Sequence, residues 1–292
     1  MTLRITVDIF SGRPNPVLEF SGKEAKAILE RLRPARRLSK SGAAPPFESI
    51  LGYRGLIVEQ TGAPARGLPK VFRVVDGDLS GPRLAHRAAD EEFEEFIAER
   101  TGRLKLGKGF SEYLRREMTR SGRMRAALCR WKPPHWPSRE RCRCAPIYEP
   151  QWWNDGWAGQ IQPNNNCYNY ATNYRSDTYA QPGRAAGAQY TSLTCASVRP
   201  AALADSLIDA PSANNRCPKE GHLVALVIAP GYDFHWFRKG RNGYWTQKMG
   251  PSPITNVDNS GNLIPDPRTA NRGPYTDFCT FMVVMHGHIK LN

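Results

Sequence analysis

Residues 222–229 read His-Leu-Val-Ala-Leu-Val-Ile-Ala, a nearly unbroken apolar run. A short run without polar alternation is typical of a strand that is buried on both faces. A Pro-Gly turn follows, and residues 234–238 form a second strand-like segment. Asn242-Gly243 then has the composition of a hairpin turn that returns through residues 244–248. These segments predict the centre of an antiparallel sheet.

Patterns elsewhere in the chain add more strands and several short helices. Strands are predicted at residues 3–10, 17–20, 55–58, 70–75 and 278–285. Helices are predicted after Ser21, which has the capping-box spacing to Glu24, after Asp90, from Cys167 to about Arg175, and at residues 201–208. Residues 110–118 are amphipathic, but they are interpreted as part of a linker and not as a packed element. Strands and helices in this mixture predict an α+β fold.

The length of 292 residues leaves room for two modest domains. We expect a small N-terminal α+β domain over residues 1–102, a basic, proline-containing linker or arm over 103–149, and a candidate catalytic domain over 150–292. Trp152 and Trp153, at the start of the third segment, are interpreted as core residues.

Positive charge is concentrated in one part of the chain. The net charge is +14, and residues 103–143 hold 13 Lys or Arg against three Glu. Such a segment favours nucleic acid, another anionic polymer or an acidic partner, and it also suits a solvated linker. Tryptophans 131, 136, 152 and 153 lie in or near this segment, where they could stack on bases. A basic binding protein without catalysis is therefore the alternative function.

The seven cysteines leave several interpretations open. The odd number leaves at least one thiol unpaired if the others form disulfides. Cys195 and Cys217 are expected in loops, where they could pair in an oxidising compartment, and Cys279 is expected in the core. A zinc site would need four ligands, which Cys129, His135, Cys142 and Cys144 could supply, but the spacing is a poor zinc signature. No metal site and no cofactor are therefore predicted.

Cys167 is the candidate nucleophile. It follows the polar stretch Gln160-Ile-Gln-Pro-Asn-Asn-Asn and begins the predicted helix. The unpaired N–H groups at a helix start favour a thiolate over a thiol. Gln160 and Gln162 lie seven and five residues upstream, close enough to donate an amide N–H to an oxyanion.

His235 is the candidate base, because it lies on the predicted strand 68 residues after the cysteine. Asn256 and Asp258 follow it and are the candidates for orienting the imidazole, and Asp233 on the same strand face is a third. His222 is the rival base at the start of the preceding strand. His286 and His288 are interpreted as surface residues.

The order of these residues, over about 150–285, resembles that of papain-like thiol hydrolases, which include bacterial NlpC/P60-type amidases and related cysteine peptidases. The resemblance implies a helix packed on an antiparallel sheet and acyl transfer on a peptide, isopeptide or wall-peptide amide. Cys167 would attack the carbonyl, His235 would carry the proton, Asn256 or Asp258 would orient it, and Gln160 or Gln162 would bind the oxyanion.

The expected protein is thus a bacterial thiol protease or amidase acting on a peptide or protein substrate, and its modular order would also suit a toxin or effector. No segment has the length and apolarity of a transmembrane helix, and the N-terminus lacks the apolar core of a signal peptide. A cytoplasmic location is expected by default, although export without a readable signal peptide stays open.

Overall fold

The computed structural model resolves the fold into two compact units, each of which is described by itself. The first holds residues 1–9, 15–48 and 53–129, and the second holds residues 10–14, 49–52 and 130–292. The structure describes residues 2–32, 35–38, 50–62, 64–65, 67–75, 77–81, 84, 87–88, 93–119, 142–156 and 159–292.

The first unit contains one antiparallel sheet of seven strands. Its elements are β1 (Thr2–Val7), β2 (Val17–Ser21), α1 (Gly22–Arg31), β3 (Ala35–Leu38), β4 (Leu56–Thr61), β5 (Val71–Val75), β6 (Asp78–Ser80), β7 (Arg87–Ala88), α2 (Phe93–Ala98) and α3 (Lys108–Thr119). The strand order is β2-β1-β4-β5-β6-β7-β3.

Alternating side chains explain why these strands form where they do. In β1, Leu3, Ile5 and Val7 are fully buried, while the residues between them are more exposed. This period of two places one apolar face against the core. Ser21 lies directly before α1 as predicted, but its side chain makes no capping hydrogen bond, so the predicted capping box with Glu24 is wrong.

Part of the predicted linker is a packed helix. α3 buries Phe110, Leu114 and Met118 and packs against α2 in the first unit. Its amphipathic spacing of four residues accounts for this packing. The arm predicted over residues 103–149 therefore begins with an ordered element, whereas residues 120–141 lie outside the described residues.

A buried ionic cluster lies in the first unit. The carboxylate of Asp8 accepts hydrogen bonds from Arg54 at 2.6 and 3.2 Å and from Arg73 at 2.7 Å. All three side chains are buried. Burial acts to raise the pKa of Asp8, but the two guanidinium groups outweigh it and hold the pKa below its usual value.

The second unit contains an antiparallel sheet of six strands in the order β12-β11-β10-β9-β13-β8. Its elements are α4 (Pro150–Trp153), α5 (Cys167–Thr172), α6 (Cys195–Ala204), β8 (Ile208–Asp209), β9 (His222–Ala229), β10 (Asp233–Lys239), β11 (Trp245–Lys248), β12 (Ile254–Thr255) and β13 (Asp277–Val284). The α+β class is therefore confirmed.

The predicted central strand, β9, is buried on both faces. Val224, Leu226 and Ile228 belong to the core cluster that also holds α5 and α6 residues. Leu223, Ala225 and Val227 belong to a second cluster on the other face. Because alternate residues serve two cores, the strand has no position at which a polar residue would reach water, which explains its unbroken apolar sequence.

We expect Asp8→Asn to lower the stability of the first unit by about 3–5 kcal/mol, because two buried guanidinium groups lose their carboxylate. Hydrogen exchange of peptides covering β1 and β4, measured across a urea series, reports this unit directly. Glu24→Gln is the matched control, since it breaks an exposed ion pair with Arg103 and is expected to cost less than about 1 kcal/mol. Equal effects of the two substitutions would contradict a structural role for the buried cluster.

Candidate functional site

Cys167 is the first residue of α5, as predicted. The side chain of Asn166 accepts hydrogen bonds from the backbone N–H groups of Tyr168 and Asn169, and the Asn169 side chain accepts from Asn166 N–H in return. This reciprocal capping fixes the start of the helix at the cysteine. The helix ends at Thr172, three residues earlier than predicted, because Asn173 adopts the left-handed conformation (φ 57°).

The thiol of Cys167 is fully buried, and its sulfur lies 3.9 Å from the carbonyl oxygen of Phe234. Burial raises the pKa of Cys167 well above its usual range, and the charge of Asp233 acts in the same direction. A hydrogen bond with the Ser11 side chain acts to lower the pKa but does not compensate. The expected thiolate is therefore wrong for this structure, since desolvation outweighs the field of a short helix.

His235 lies on β10, as predicted, and both of its ring nitrogens have partners. Nδ1 lies 2.5 Å from the hydroxyl oxygen of Ser11, and Nε2 lies 2.9 Å from the side-chain oxygen of Gln247. Gln247 donates its own amide N–H to the carbonyl of Val257, which leaves its oxygen facing the histidine. His235 thus donates from Nε2, and Ser11 donates to Nδ1.

The structure therefore connects Cys167 and His235 through Ser11, a residue that the sequence did not indicate. Gln247 was also missed, although the register of the hairpin could have indicated it. Phe237 pairs with Gln247, and His235 lies two residues from Phe237 on the same face, so Gln247 is its diagonal neighbour. Ser11 gave no comparable local signal, because 224 residues separate it from His235.

Neither predicted orienting residue takes that role. The carboxylate of Asp258 accepts backbone N–H groups from Ser260, Asn262 and Asn271, which organises its own loop. Asn256 is buried, but the accepting group next to His235 Nε2 belongs to Gln247. The prediction that Asn256 or Asp258 orients the imidazole is corrected accordingly.

Asp233, the third candidate, binds a different part of the chain. Its carboxylate accepts backbone N–H groups from Ser11, Gly12 and Arg13 at 2.5–3.2 Å, and the hydroxyl of Tyr275 at 2.5 Å. Consecutive backbone N–H groups that surround an anion form a nest. Burial raises the pKa of Asp233, while these hydrogen bonds act to lower it.

The two candidate oxyanion residues differ in their surroundings. Gln162 is buried, donates its side-chain N–H to the carbonyl of Pro251 at 3.2 Å and accepts from Gly156 N–H at 3.3 Å. Gln160 is exposed, and its backbone carbonyl accepts from Asn164. The Gln162 amide thus joins the connection between α4 and α5 to the loop between β11 and β12, instead of pointing a free donor at the thiol.

The rival base, His222, is buried at the start of β9. Its Nε2 lies 2.7 Å from the carbonyl oxygen of Ala171 and donates to it. Within the described residues, Nδ1 has no hydrogen-bond partner. Burial lowers the pKa of His222 to about 3, so the imidazole is neutral at physiological pH. Its partner on α5 identifies it as a structural residue.

Four cysteines form two disulfides, Cys142–Cys217 and Cys195–Cys279. The predicted pairing of Cys195 with Cys217 is wrong. Cys279 lies on β13 and packs against the core, as predicted, and it is also bonded to Cys195. The described residues contain no group of three or more His, Cys, Asp or Glu side chains able to bind a metal ion. Cys129 and His135 lie outside the described residues. None of the described helices is both long and apolar enough to cross a membrane.

These observations define a disulfide-bonded α+β protein in which the candidate nucleophile Cys167 and the candidate base His235 are both fully buried. Insoluble matrix shell protein 1 of Ruditapes philippinarum is 46% identical to it over 143 residues, which are 48% of this chain and 91% of that protein. The chain therefore belongs to the same family as that shell protein. No family model matches the chain, and no solved structure matches it.

This similarity overturns the predicted biological setting. The relative is a shell matrix protein of a mollusc. The expectation of a bacterial thiol protease, with its suggested role as a toxin or effector, is therefore wrong.

We expect iodoacetamide to modify Cys144 readily and Cys167 at least about a hundredfold more slowly in the folded protein, because Cys144 is exposed and Cys167 is buried. Mass mapping after a labelling time course measures both rates in one sample. Urea should abolish the difference. Rapid labelling of Cys167 without urea would contradict the buried position.

A second expectation concerns pH. Because the pKa of His222 falls from 6.5 in the unfolded chain to about 3 in the folded protein, the unfolded state binds more protons between these values. Stability from this residue is complete above pH 6.5 and is lost as the pH falls, by up to about 1.4 kcal/mol per pH unit. Urea midpoints at several pH values measure this slope.

His222→Gln is the matched variant, since glutamine can donate to Ala171 but does not titrate. Its stability can differ at every pH, so only the slopes are compared. The variant is expected to lose less stability than the natural chain between pH 6.5 and 3. Identical slopes would show that His222 does not contribute to acid unfolding.

Proposed function

We propose that this protein is a structural constituent of an insoluble extracellular matrix. The observation that carries the proposal is the similarity to insoluble matrix shell protein 1, which extends over 91% of that relative. Similarity over nearly the whole length of the relative supports a shared role more strongly than a shared short motif would. The role proposed here needs a stable, covalently reinforced fold and no catalytic group.

The two disulfides support an extracellular location. Cys142–Cys217 and Cys195–Cys279 close loops with sequence separations of 75 and 84 residues. Disulfides persist in oxidising compartments and are rare in the reducing cytosol. We therefore propose secretion in place of the cytoplasmic location that the N-terminal sequence favoured.

The polar groups around β10 also support a structural role. A nucleophile and its base need contact with the substrate. Cys167, Ser11 and His235 are all fully buried, so none of them is exposed to a substrate in this structure. The papain-like arrangement predicted for the second unit remains a prediction about its fold and is not needed for this role.

Binding of an anionic polymer through residues 103–143 also remains a prediction. The sequence supports it through the charge of this segment, but residues 120–141 lie outside the described residues. A basic segment of this kind would suit the association of a matrix protein with acidic macromolecules.

Fractionation of the source tissue or culture tests the proposed function. Extracellular material is extracted first with salt and mild detergent, and then with a chaotrope plus a reductant. We expect the chain in the second extract, with Cys142, Cys195, Cys217 and Cys279 protected from alkylation until reduction. A cytosolic protein whose four cysteines alkylate without reduction would contradict both the location and the role. A soluble, disulfide-bonded secreted protein would contradict the matrix role alone.

A further inference from the structure

Two large aromatic side chains lie at the surface of the second unit, and one of them, Trp152, is predicted from the sequence to be a core residue. Trp152 is 53% exposed and Tyr174 is 51% exposed. Each exposed ring is close in sequence to a buried one: Trp152 precedes Trp153 on α4, and Tyr174 lies four residues after Tyr170 on α5. The rings of Trp153 and Tyr170 pack edge to face, with centroids 5.1 Å apart. The buried pair therefore anchors the two elements that present the exposed pair.

Arg175 joins the two exposed aromatic residues. Its Nη1 donates to the carbonyl oxygen of Trp152 at 2.9 Å, and its guanidinium lies 5.2 Å from the centroid of the Trp152 ring. Tyr174 directly precedes Arg175, and its backbone exchanges hydrogen bonds with Asn169 at 3.0 and 3.1 Å. Hydrogen bonds therefore hold in place the backbone segments that carry Trp152 and Tyr174.

The buried guanidinium of Arg238 brings a third apolar residue to the same region. It donates to Asn173 Oδ1 at 2.8 Å, to the Tyr170 carbonyl at 3.2 Å and to the Ile147 carbonyl at 3.2 Å. Ile147 is 46% exposed. We call the two aromatic residues Trp152 and Tyr174, together with the neighbouring Ile147, the aromatic patch.

Single exposed apolar residues are ordinary, but several on converging segments indicate a binding surface. Large aromatic rings are costly to leave in water, and their rigid side chains lose little entropy when a ligand binds. The patch is also held by two arginines: Arg175 donates to the Trp152 carbonyl, and Arg238 donates to the Ile147 carbonyl and to the Asn173 side chain.

We propose that the aromatic patch binds a neutral glycan built of pyranose rings. The faces of aromatic rings carry partial negative charge, and they attract the C–H groups that cover the face of a sugar ring. Arg175 has N–H groups beyond the one that binds Trp152, and these can donate to sugar hydroxyls or ring oxygens. Asp177 is exposed, and although its Oδ1 accepts from the Asn165 side chain, its second oxygen can accept hydrogen bonds from sugar hydroxyls.

The charges on the patch segments favour a neutral ligand over an acidic one. Residues 147–154 and 173–178 contain one cationic side chain, Arg175, and two anionic ones, Glu149 and Asp177. The chain as a whole carries +14, so this region lacks the excess positive charge found elsewhere. A polyanion would find no electrostatic advantage here, whereas polar groups of both kinds match a ligand rich in hydroxyls.

Isothermal titration of the full chain with cellohexaose and with the corresponding hexamer of N-acetylglucosamine tests the assignment. We expect saturable binding of at least one hexamer, weakened about tenfold or more by Trp152→Ala and by Tyr174→Ala. Ile208→Ala is the matched control, because Ile208 is also 51% exposed but lies on β8, at the opposite edge of the sheet from α4 and β12. It should bind like the natural chain.

Each variant is checked by its thermal unfolding midpoint, which should not change because the replaced side chains are exposed. Absence of binding to both hexamers overturns the assignment, and so does binding that neither patch substitution weakens. Full competition by dextran sulfate at about 150 mM salt would overturn the neutral class of ligand. Loss of self-association in the patch variants, measured by sedimentation velocity without glycan binding, would assign the patch to a second copy of the chain. None of these outcomes depends on whether the protein is a matrix constituent.

Discussion

The second unit depends on one buried carboxylate, that of Asp233. A carboxylate without partners in a protein interior costs several kcal/mol, so its burial requires donors on every side. Residues 11–13 supply three backbone N–H groups and Tyr275 supplies a hydroxyl. The chain near its start is thereby held against β10, which is why Ser11 can reach His235.

A polar interior of this kind specifies one arrangement more strictly than an apolar one. An apolar side chain can shift against its neighbours at modest cost, whereas a displaced donor leaves an unsatisfied group. Ser11, His235 and Gln247 form a chain in which each hydrogen bond sets the direction of the next. The stability gained per bond is small, about 1 kcal/mol, but the cost of breaking any one of them is larger. The main effect of these hydrogen bonds is therefore to select one arrangement of the interior, more than to add stability.

Local patterns in the sequence predicted the sheet of the second unit well. β9, β10 and β11 occupy the predicted positions because period-two burial and a two-residue turn are encoded within a few neighbouring residues. The start of α5 at Cys167 was also predicted, because the residues that cap it, Asn166 and Asn169, are its near neighbours in the sequence. The length of α5 was overestimated, since the left-handed conformation of Asn173 has no strong signature in a polar stretch.

The candidate site was harder to predict because its contacts are distant in sequence. The order of a helix-borne cysteine and a strand-borne histidine is compatible with catalysis, and it is equally compatible with a buried cluster. What distinguishes them is the residue that lies between the two, and Ser11 precedes Cys167 by more than half the chain. Burial, which sets the pKa of the thiol, is likewise a property of the assembled core. The disulfide partners could not be assigned from spacing for the same reason.

The two disulfides overlap along the chain, and this has a consequence for durability. Cys195, the first cysteine of the second bridge, lies inside the loop closed by Cys142 and Cys217, while its partner Cys279 lies beyond that loop. A single backbone break anywhere between residues 142 and 279 therefore leaves its two fragments covalently joined by at least one bridge. Within this stretch, a protease or mechanical tension would therefore have to break the backbone at least twice before a piece of it could be released.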